Sequence, residues 1–257
     1  METIDLRKHN REAWARRVAL GDRWTRPVSP EAIAAARAGR WSIYLSAGDP
    51  VPRDGFPELR GCEVLCLASG GGQQGPILAA AGASVTVLDF SPAQLAQDRL
   101  VAERDGLSIR LVEGDMADLG MFRDGSFGLI VHPVANTYIP EIRPVWAEAF
   151  RVLRPGGALL AGFINPFVFI FGDYARYPEL RVQYSLPFSE LTSISPKERQ
   201  QIIDDGDTFQ FSHTLADQIA GQLEAGFLID GFYEDHQEGH PAAPYMSTHM
   251  ATRAIKP

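Results

Sequence analysis

Cysteine is nearly absent. The chain has two, Cys62 and Cys66, and their spacing along an expected strand puts them on one side of it but too far apart to bridge. Both are expected to be reduced core residues. The six histidines show no close pairing at ligand spacing, so no metal site is expected. Basic residues are in the minority, 24 Lys and Arg against 32 Asp and Glu for a net charge of -8. The arginines are scattered rather than gathered in a stripe, which argues against nucleic acid as a partner. The longest apolar run, Ala158–Phe163 continuing into Phe167–Phe171, is broken by Asn165 and Pro166 and is too short to span a bilayer. The opening residues, Met1-Glu2-Thr3-Ile4-Asp5, lack the basic flank and apolar stretch of a signal peptide, so the cytoplasm is the expected compartment. Internal repeats and long biased tails are missing too.

What is present suits one folded domain over 1–257. A chain of 257 residues, 45% hydrophobic and 22% charged, can bury a substantial core. Residues 1–57 read as an N-terminal helical extension, with helices expected over Leu6–Leu20 and, capped by Ser29, Pro30–Arg37. Trp14, Trp24, Trp41 and Tyr44 crowd this stretch, either fastening the extension to the domain or touching ligand. From Glu63, short apolar runs bounded by Gly, Asp and Pro alternate with helical segments, the pattern of a parallel sheet covered on both faces. Strands are expected at Glu63–Ala68, Ser84–Asp89, Ser108–Val112, Phe127–His132 and Ala158–Phe163. Helices are expected near Pro76–Ala81, Pro92–Arg104 and Pro144–Val152, each entered by a proline. The core is thus expected over 58–166. A lid or substrate insertion follows over 167–212, with strands at Leu180–Leu186 and Phe209–Ser212. The C-terminal part, 213–257, is read as a helix over Leu215–Ala225 and strands Phe227–Glu234 and Ser247–Ile255. No helix separates those two strands, so they should pair antiparallel.

The strongest local signal is Val64-Leu65-Cys66-Leu67-Ala68-Ser69-Gly70-Gly71-Gly72-Gln73-Gln74-Gly75, an apolar strand running into glycines and then a helix. Glycines let a ligand approach the backbone, and the helix start offers unpaired N–H groups. A bare turn is the simpler alternative. Nineteen residues beyond Gly70, Asp89 ends the second strand, where a carboxylate can accept both hydroxyls of an adenosine ribose. These two signals fit NAD as well as S-adenosylmethionine. Three later features divide the cases: Glu113-Gly114-Asp115-Met116 closing the third strand, Phe127-Gly128-Leu129-Ile130-Val131-His132 as the fourth, and Phe150-Arg151-Val152-Leu153-Arg154-Pro155-Gly156-Gly157 leading into the fifth.

With these residues the sequence resembles the class I S-adenosylmethionine-dependent methyltransferases, in the small-molecule branch, over roughly Glu63 to Phe163 and again at the antiparallel C-terminus. The resemblance implies a Rossmann-like, doubly wound α/β fold with a mostly parallel seven-stranded sheet whose last strand is antiparallel. It implies methyl transfer from S-adenosylmethionine, with S-adenosylhomocysteine as product. It places Ala68, Ser69, Gly70, Gly71 and Gly72, with Gln73, beside the methionine portion and ribose. Asp89 falls on the ribose hydroxyls beside Ser91, Phe90 against the adenine, and Asp115 on the adenine amino group, with Gly114 and Met116 adjoining. His132 falls at the mouth of the site. Two departures from the family pattern stand out: Cys66 where an acid is usual, and Ala68 where the first glycine is usual.

His132 is the first candidate for a general base, since imidazole titrates near neutral pH; the alternative is a histidine that only hydrogen-bonds cofactor or a loop carbonyl. His213 is the second, with a helix-capping region as its alternative role. Asn136, Tyr138 and Tyr174 are candidate acceptor contacts. The loop from His132 to Tyr138 lacks the Asn/Asp-Pro-Pro-aromatic signature of enzymes that methylate nucleobase or glutamine nitrogen. Aromatics crowd the insertion, pointing to an apolar or aromatic small-molecule acceptor under a lid, although a lid that packs on itself or forms a homodimer contact fits the same composition. Two other readings stay open here: a nicotinamide-dependent oxidoreductase resting on Gly70, Gly72, Gly75 and Asp89, and a non-catalytic S-adenosylmethionine-binding protein suggested by Cys66 and Ala68.

Overall fold

The structure, a computed structural model, describes residues 4–46, 48–172 and 179–257. Among these, seven strands form one sheet: β1 (Glu63–Leu67), β2 (Ser84–Asp89), β3 (Ile109–Glu113), β4 (Phe127–His132), β5 (Leu153–Ile164), β6 (Leu228–Asp235) and β7 (His249–Ile255). Their order across the sheet is β3-β2-β1-β4-β5-β7-β6. β1 to β5 pair in parallel, and β7 runs antiparallel to both β5 and β6. The chain therefore works outward from β1 to β3, then returns to lay β4 on the other side of β1. This topological switch leaves a crevice beyond the carboxyl ends of β1 and β4.

Alternation along the strands divides the core into two layers. Leu65 and Leu67 of β1, Ile130 of β4 and Leu159 and Ala161 of β5 pack with Trp146, Ala149 and Phe227. Val64 and Cys66, Leu129 and Val131, and Ala158 and Leu160 face the other way, onto Ile43, Leu78 and Leu95. The α-helices of the described residues are α1 (Leu6–Leu20), α2 (Pro30–Arg37), α3 (Gln74–Ala80), α4 (Pro92–Asp105), α5 (Arg143–Val152), α6 (Pro196–Asp205) and α7 (Gly221–Ala225), of which α3, α4, α5 and α7 pack into these layers. Trp146 anchors α5: its ring is fully buried and its Nε1 donates to Asp217 O at 2.9 Å. Cys62 and Cys66 are buried free thiols.

The insertion departs from expectation. Leu180–Leu186 and Phe209–Ser212 form no strands; Ser189 and Phe211 make a single bridge. The Gln183 and Tyr184 amides instead donate to Ile170 O, and Phe188 is held by Ser212, whose Oγ accepts its N–H. Pro187 lacks the N–H that a continuing ladder needs. Helix α6, not expected from the sequence, is closed by a complete capping box between Ser195 and Glu198, a signature that Ser195-Pro196-Lys197-Glu198 does carry. β5 also begins earlier than expected, because Gly156 N donates to Lys256 O and Lys256 N to Gly157 O.

A third apolar cluster joins the insertion to the N-terminus, with Ile202, Phe209 and Phe211 packing on Ile4 and Leu6. Buried Asn10 fixes that junction: its Nδ2 donates to Tyr138 O and Phe209 O at 3.2 Å, and its Oδ1 accepts Phe209 N–H at 2.8 Å. Asn10→Ala strands a buried N–H, so we expect a loss of about 1–3 kcal/mol. A thermal melt within a degree of wild type would show that α1 is not fastened this way.

Candidate functional site

A cavity of about 1160 Å³ opens over the β1/β4 crevice. Its floor is the loop after β1 (Ala68, Ser69, Gly70, Gln73) with the ends of β2 (Asp89, Phe90) and β3 (Gly114, Asp115, Met116). The opposite end is closed by Ile164, Phe169, Tyr184 and Phe188. Trp14, Trp24 and Tyr44 also line it, whereas Trp41 lies outside, packed on Phe56 and under the Arg53 guanidinium.

The loop after β1 is held in a left-handed backbone. Ala68 has φ +48°, Gly70 +74° and Gly72 +73°; Ala68 is the non-glycine residue that takes this conformation at a steric cost. Gly71 and Gly72, expected against a ligand, do not line the cavity. A Cβ at Gly71 would collide with Gln94 O, and one at Gly72 would lie 3.0 Å from Pro27 Cβ and Gln97 O. These glycines serve the close approach of α4 and of the N-terminal segment. Gly71 N donates to Gln94 Oε1 at 2.9 Å, and Val28 N to Gly72 O at 2.8 Å. The extension is strapped over the loop by two glutamines: Gln73 Nε2 donates to Arg23 O and Arg26 O, and Gln74 Nε2 to Tyr44 O. Ser91 is likewise displaced from the site, fully buried as the cap of α4.

Asp89 faces the cavity, with one carboxylate oxygen accepting Ser91 N–H at 2.8 Å. Burial pushes its pKa up to about 7, against the pull of that amide. Asp115 accepts Ala117 N–H at 2.9 Å and lies 3.6 Å from the Arg7 guanidinium. Asp98 of α4 sits behind the loop, 1% exposed, and neither oxygen makes a hydrogen bond of normal geometry. Burial pushes it up to about 8, more than the Gly72 amide, which favours the charged form, can offset.

The two histidines singled out from the sequence do not reach the cavity. His132 is fully buried, with Nδ1 at 2.8 Å from Leu67 O and Nε2 at 2.8 Å from the Asn136 side-chain amide, and its ring edge meets Trp146. Asn136 in turn reaches Gln218 at 3.1 Å. His213 donates from Nε2 to Asn136 O at 2.9 Å. Burial pushes both imidazoles down, holding them neutral. Both nitrogens of His132, Nε2 of His213 and the Asn136 side chain are engaged in fixing the loop after β4, and none of the three residues lines the cavity, so the general-base assignments and the acceptor-contact assignment of Asn136 are corrected. Tyr138 does line the cavity, edge-on to Trp14 at 5.1 Å. Tyr174 lies outside the described residues.

The structure adds residues the sequence reading missed: Thr208, His240 and His249 all line the cavity. His249 opens β7, opposite Ile164 of β5 and Asp235 of β6. Because β7 runs antiparallel, its first residue, not its last, meets the ligand edge. Among the described residues no cluster of three His, Cys, Asp or Glu is placed to hold a metal, and no helix is long and apolar enough to cross a membrane.

Residues 65–161 match a family model described as a methyltransferase domain. The chain is 47% identical to the uncharacterized methyltransferase YbaJ of Bacillus subtilis over 96% of its own length and 97% of that protein's. It is similar to the demethylmenaquinone methyltransferase of Thermus thermophilus, 36% identical over 38% of this chain and 44% of that one. Among solved structures, an S-adenosylmethionine-dependent methyltransferase from Listeria monocytogenes superimposes with a TM-score of 0.60 at 16% identity, covering 80% of this chain and 94% of that one.

Two stability predictions follow from the loop. Ala68→Gly relieves the left-handed alanine and should stabilise by about 1 kcal/mol; an unchanged or lower Tm would contradict the strain. Asp98 has a folded pKa above its unfolded value, so folding holds a proton that the unfolded chain has released, and stability is lost as pH rises from about 4 to about 8. Asp98→Asn should therefore raise Tm by an increment that grows across that range to several degrees at roughly pH 9. A pH-independent increment would refute the buried carboxyl.

Proposed function

The chain belongs to the class I S-adenosylmethionine-dependent methyltransferases, and from that premise we propose that it methylates an apolar or aromatic small molecule by in-line displacement within this one cavity. Membership removes the nicotinamide and non-catalytic readings. The observation that carries the proposal is the continuity of the cavity: strand-end carboxylates and the turn after β1 at one end, an aromatic chamber at the other. A volume of about 1160 Å³ exceeds what a single small ligand needs, leaving room for cofactor and acceptor together. Buried Ser69 Oγ, which makes no hydrogen bond of normal geometry, and the Asp89 carboxylate both suit a ligand rich in hydroxyl and amino donors.

In this reading Ala68, Ser69, Gly70 and Gln73 hold the methionine portion, Asp89 accepts the ribose hydroxyls, and Phe90 and Met116 flank the adenine. Asp115 and Gly114 face its amino edge. S-adenosylmethionine, when bound, supplies a methyl group already activated by a sulfonium. What remains for the protein is alignment at close range and exclusion of water, served by Tyr138, Phe169 and Phe188. Phe169 and Phe188 stack at 5.8 Å, and Tyr184 lies 4.9 Å from Phe188. This wall suits a flat apolar acceptor.

Calorimetric titration with S-adenosylmethionine and S-adenosylhomocysteine tests the cofactor end. We expect micromolar affinity for both, at least tenfold weaker in Asp89→Ala, and no response to NAD. Equal affinity in the variant would remove Asp89 from the site. Wild-type binding should also weaken below roughly pH 7 as Asp89 takes up its proton and loses an acceptor; a flat profile between pH 5 and 8 would contradict this.

A further inference from the structure

We propose that His249 is the catalytic base of the acceptor site and that the acceptor is an aromatic molecule carrying a hydroxyl group. The inference rests on the methyltransferase reading above and assigns the acceptor end of the cavity. His249 lies on β7, three strand steps from β1 through β4 and β5. At about 4.8 Å per step, that is the distance at which an acceptor, rather than the cofactor, fills the space. Its Nδ1 is 3.0 Å from Thr248 Oγ1, which also accepts Gln237 N–H at 2.7 Å. In the tautomer where Nδ1–H donates to that oxygen, Nε2 is left with a lone pair. Among the described residues nothing hydrogen-bonds Nε2, whereas both ring nitrogens of His132 are consumed by the framework. An imidazole anchored at one nitrogen and open at the other, in a ligand cavity, is arranged to take a proton.

The surroundings favour a protic aromatic acceptor. Phe169, Phe188 and Tyr184 supply the apolar wall, and Thr208 Oγ1, on a residue 2% exposed, lacks a hydrogen-bond partner. Burial pushes the His249 pKa down to about 4; Asp235 opposes this shift from β6, and His240, in the segment before β7, adds to it. The imidazole is therefore unprotonated at neutral pH. Asp235 is itself fixed by Ser46 Oγ and by the Gly48 and Asp49 amides, ready to stabilise the imidazolium. In the reaction the acceptor oxygen attacks the methyl carbon, the carbon–sulfur bond breaks with its electron pair passing to sulfur, and the O–H proton passes to Nε2. No redox partner is needed. The oxygen grows strongly acidic as the new bond forms, so a weak base suffices.

The test uses the full chain with 2-naphthol and 2-naphthalenethiol as acceptors, reading S-adenosylhomocysteine formation. The aryl thiol is more acidic than a cysteine thiol, loses its proton to solvent without help and has little need of a base. We expect His249→Gln to lower kcat with 2-naphthol by roughly 100-fold and with the thiol by far less, while calorimetric S-adenosylhomocysteine affinity stays within twofold. Equal losses with both acceptors, or an undiminished naphthol rate, would overturn the assignment. So would a wild type that neither methylates 2-naphthol nor binds it in the S-adenosylhomocysteine complex. Intact cofactor affinity in those cases would leave the methyltransferase reading standing, so the two failures are distinguishable.

Discussion

The return of the chain from β3 to β4 across β1 is the constraint on which the structure depends. Two parallel strands whose following segments leave in opposite directions cannot close the gap above their carboxyl ends. Leu67 and Ala68 turn one way into the left-handed loop, and His132 and Pro133 turn the other. Everything that makes the gap a site is then a wall: the ends of β2 and β3 bring carboxylates to one side, and the insertion after β5 and the start of β7 bring aromatic and imidazole groups to the other. The sheet core behind is apolar on both faces, so the polar groups at its edge are fixed in place by a rigid platform.

That platform is finished by segments outside the sheet. Gln73 and Gln74 tie the N-terminal extension to the loop after β1, and Asn10 ties α1 to both the loop after β4 and the insertion. The buried chain from His132 through Asn136 to Gln218 and His213 fixes that same loop from below. Polar groups buried for such positioning are costly unless fully paired, and this network pairs them. Asp98 stands outside that network, a carboxyl left behind the loop without ordinary partners.

The sheet and the turn after β1 were legible because periodicity and turn chemistry are local. An apolar strand running into Gly70 and an acid closing the next strand can be read within thirty residues. The histidines show where local reading fails. His132 shares the parity of Ile130, which packs on the α5 side, so alternation pointed it at Trp146 rather than at ligand, and its place at a strand end proved the weaker signal. His249 needed the strand order and polarity before its position at the ligand edge had meaning. Gly71 and Gly72 were expected against a ligand, but what approaches them is α4 and Pro27. Within the insertion, the capping box at Ser195 was a legible helix start, whereas the pairing of Phe188 with Ser212 depends on partners 24 residues apart and leaves no pattern.

The central claim is that one cavity holds the cofactor at the β1/β4 switch and the acceptor between the insertion and β7. A crystal structure of the S-adenosylhomocysteine complex tests it most directly. The account predicts ribose hydroxyls on Asp89 and a sulfur atom turned toward the chamber formed by Phe169, Phe188 and His249. A sulfur facing away from that chamber, or a nucleoside lying elsewhere than over Asp89 and Asp115, would contradict it.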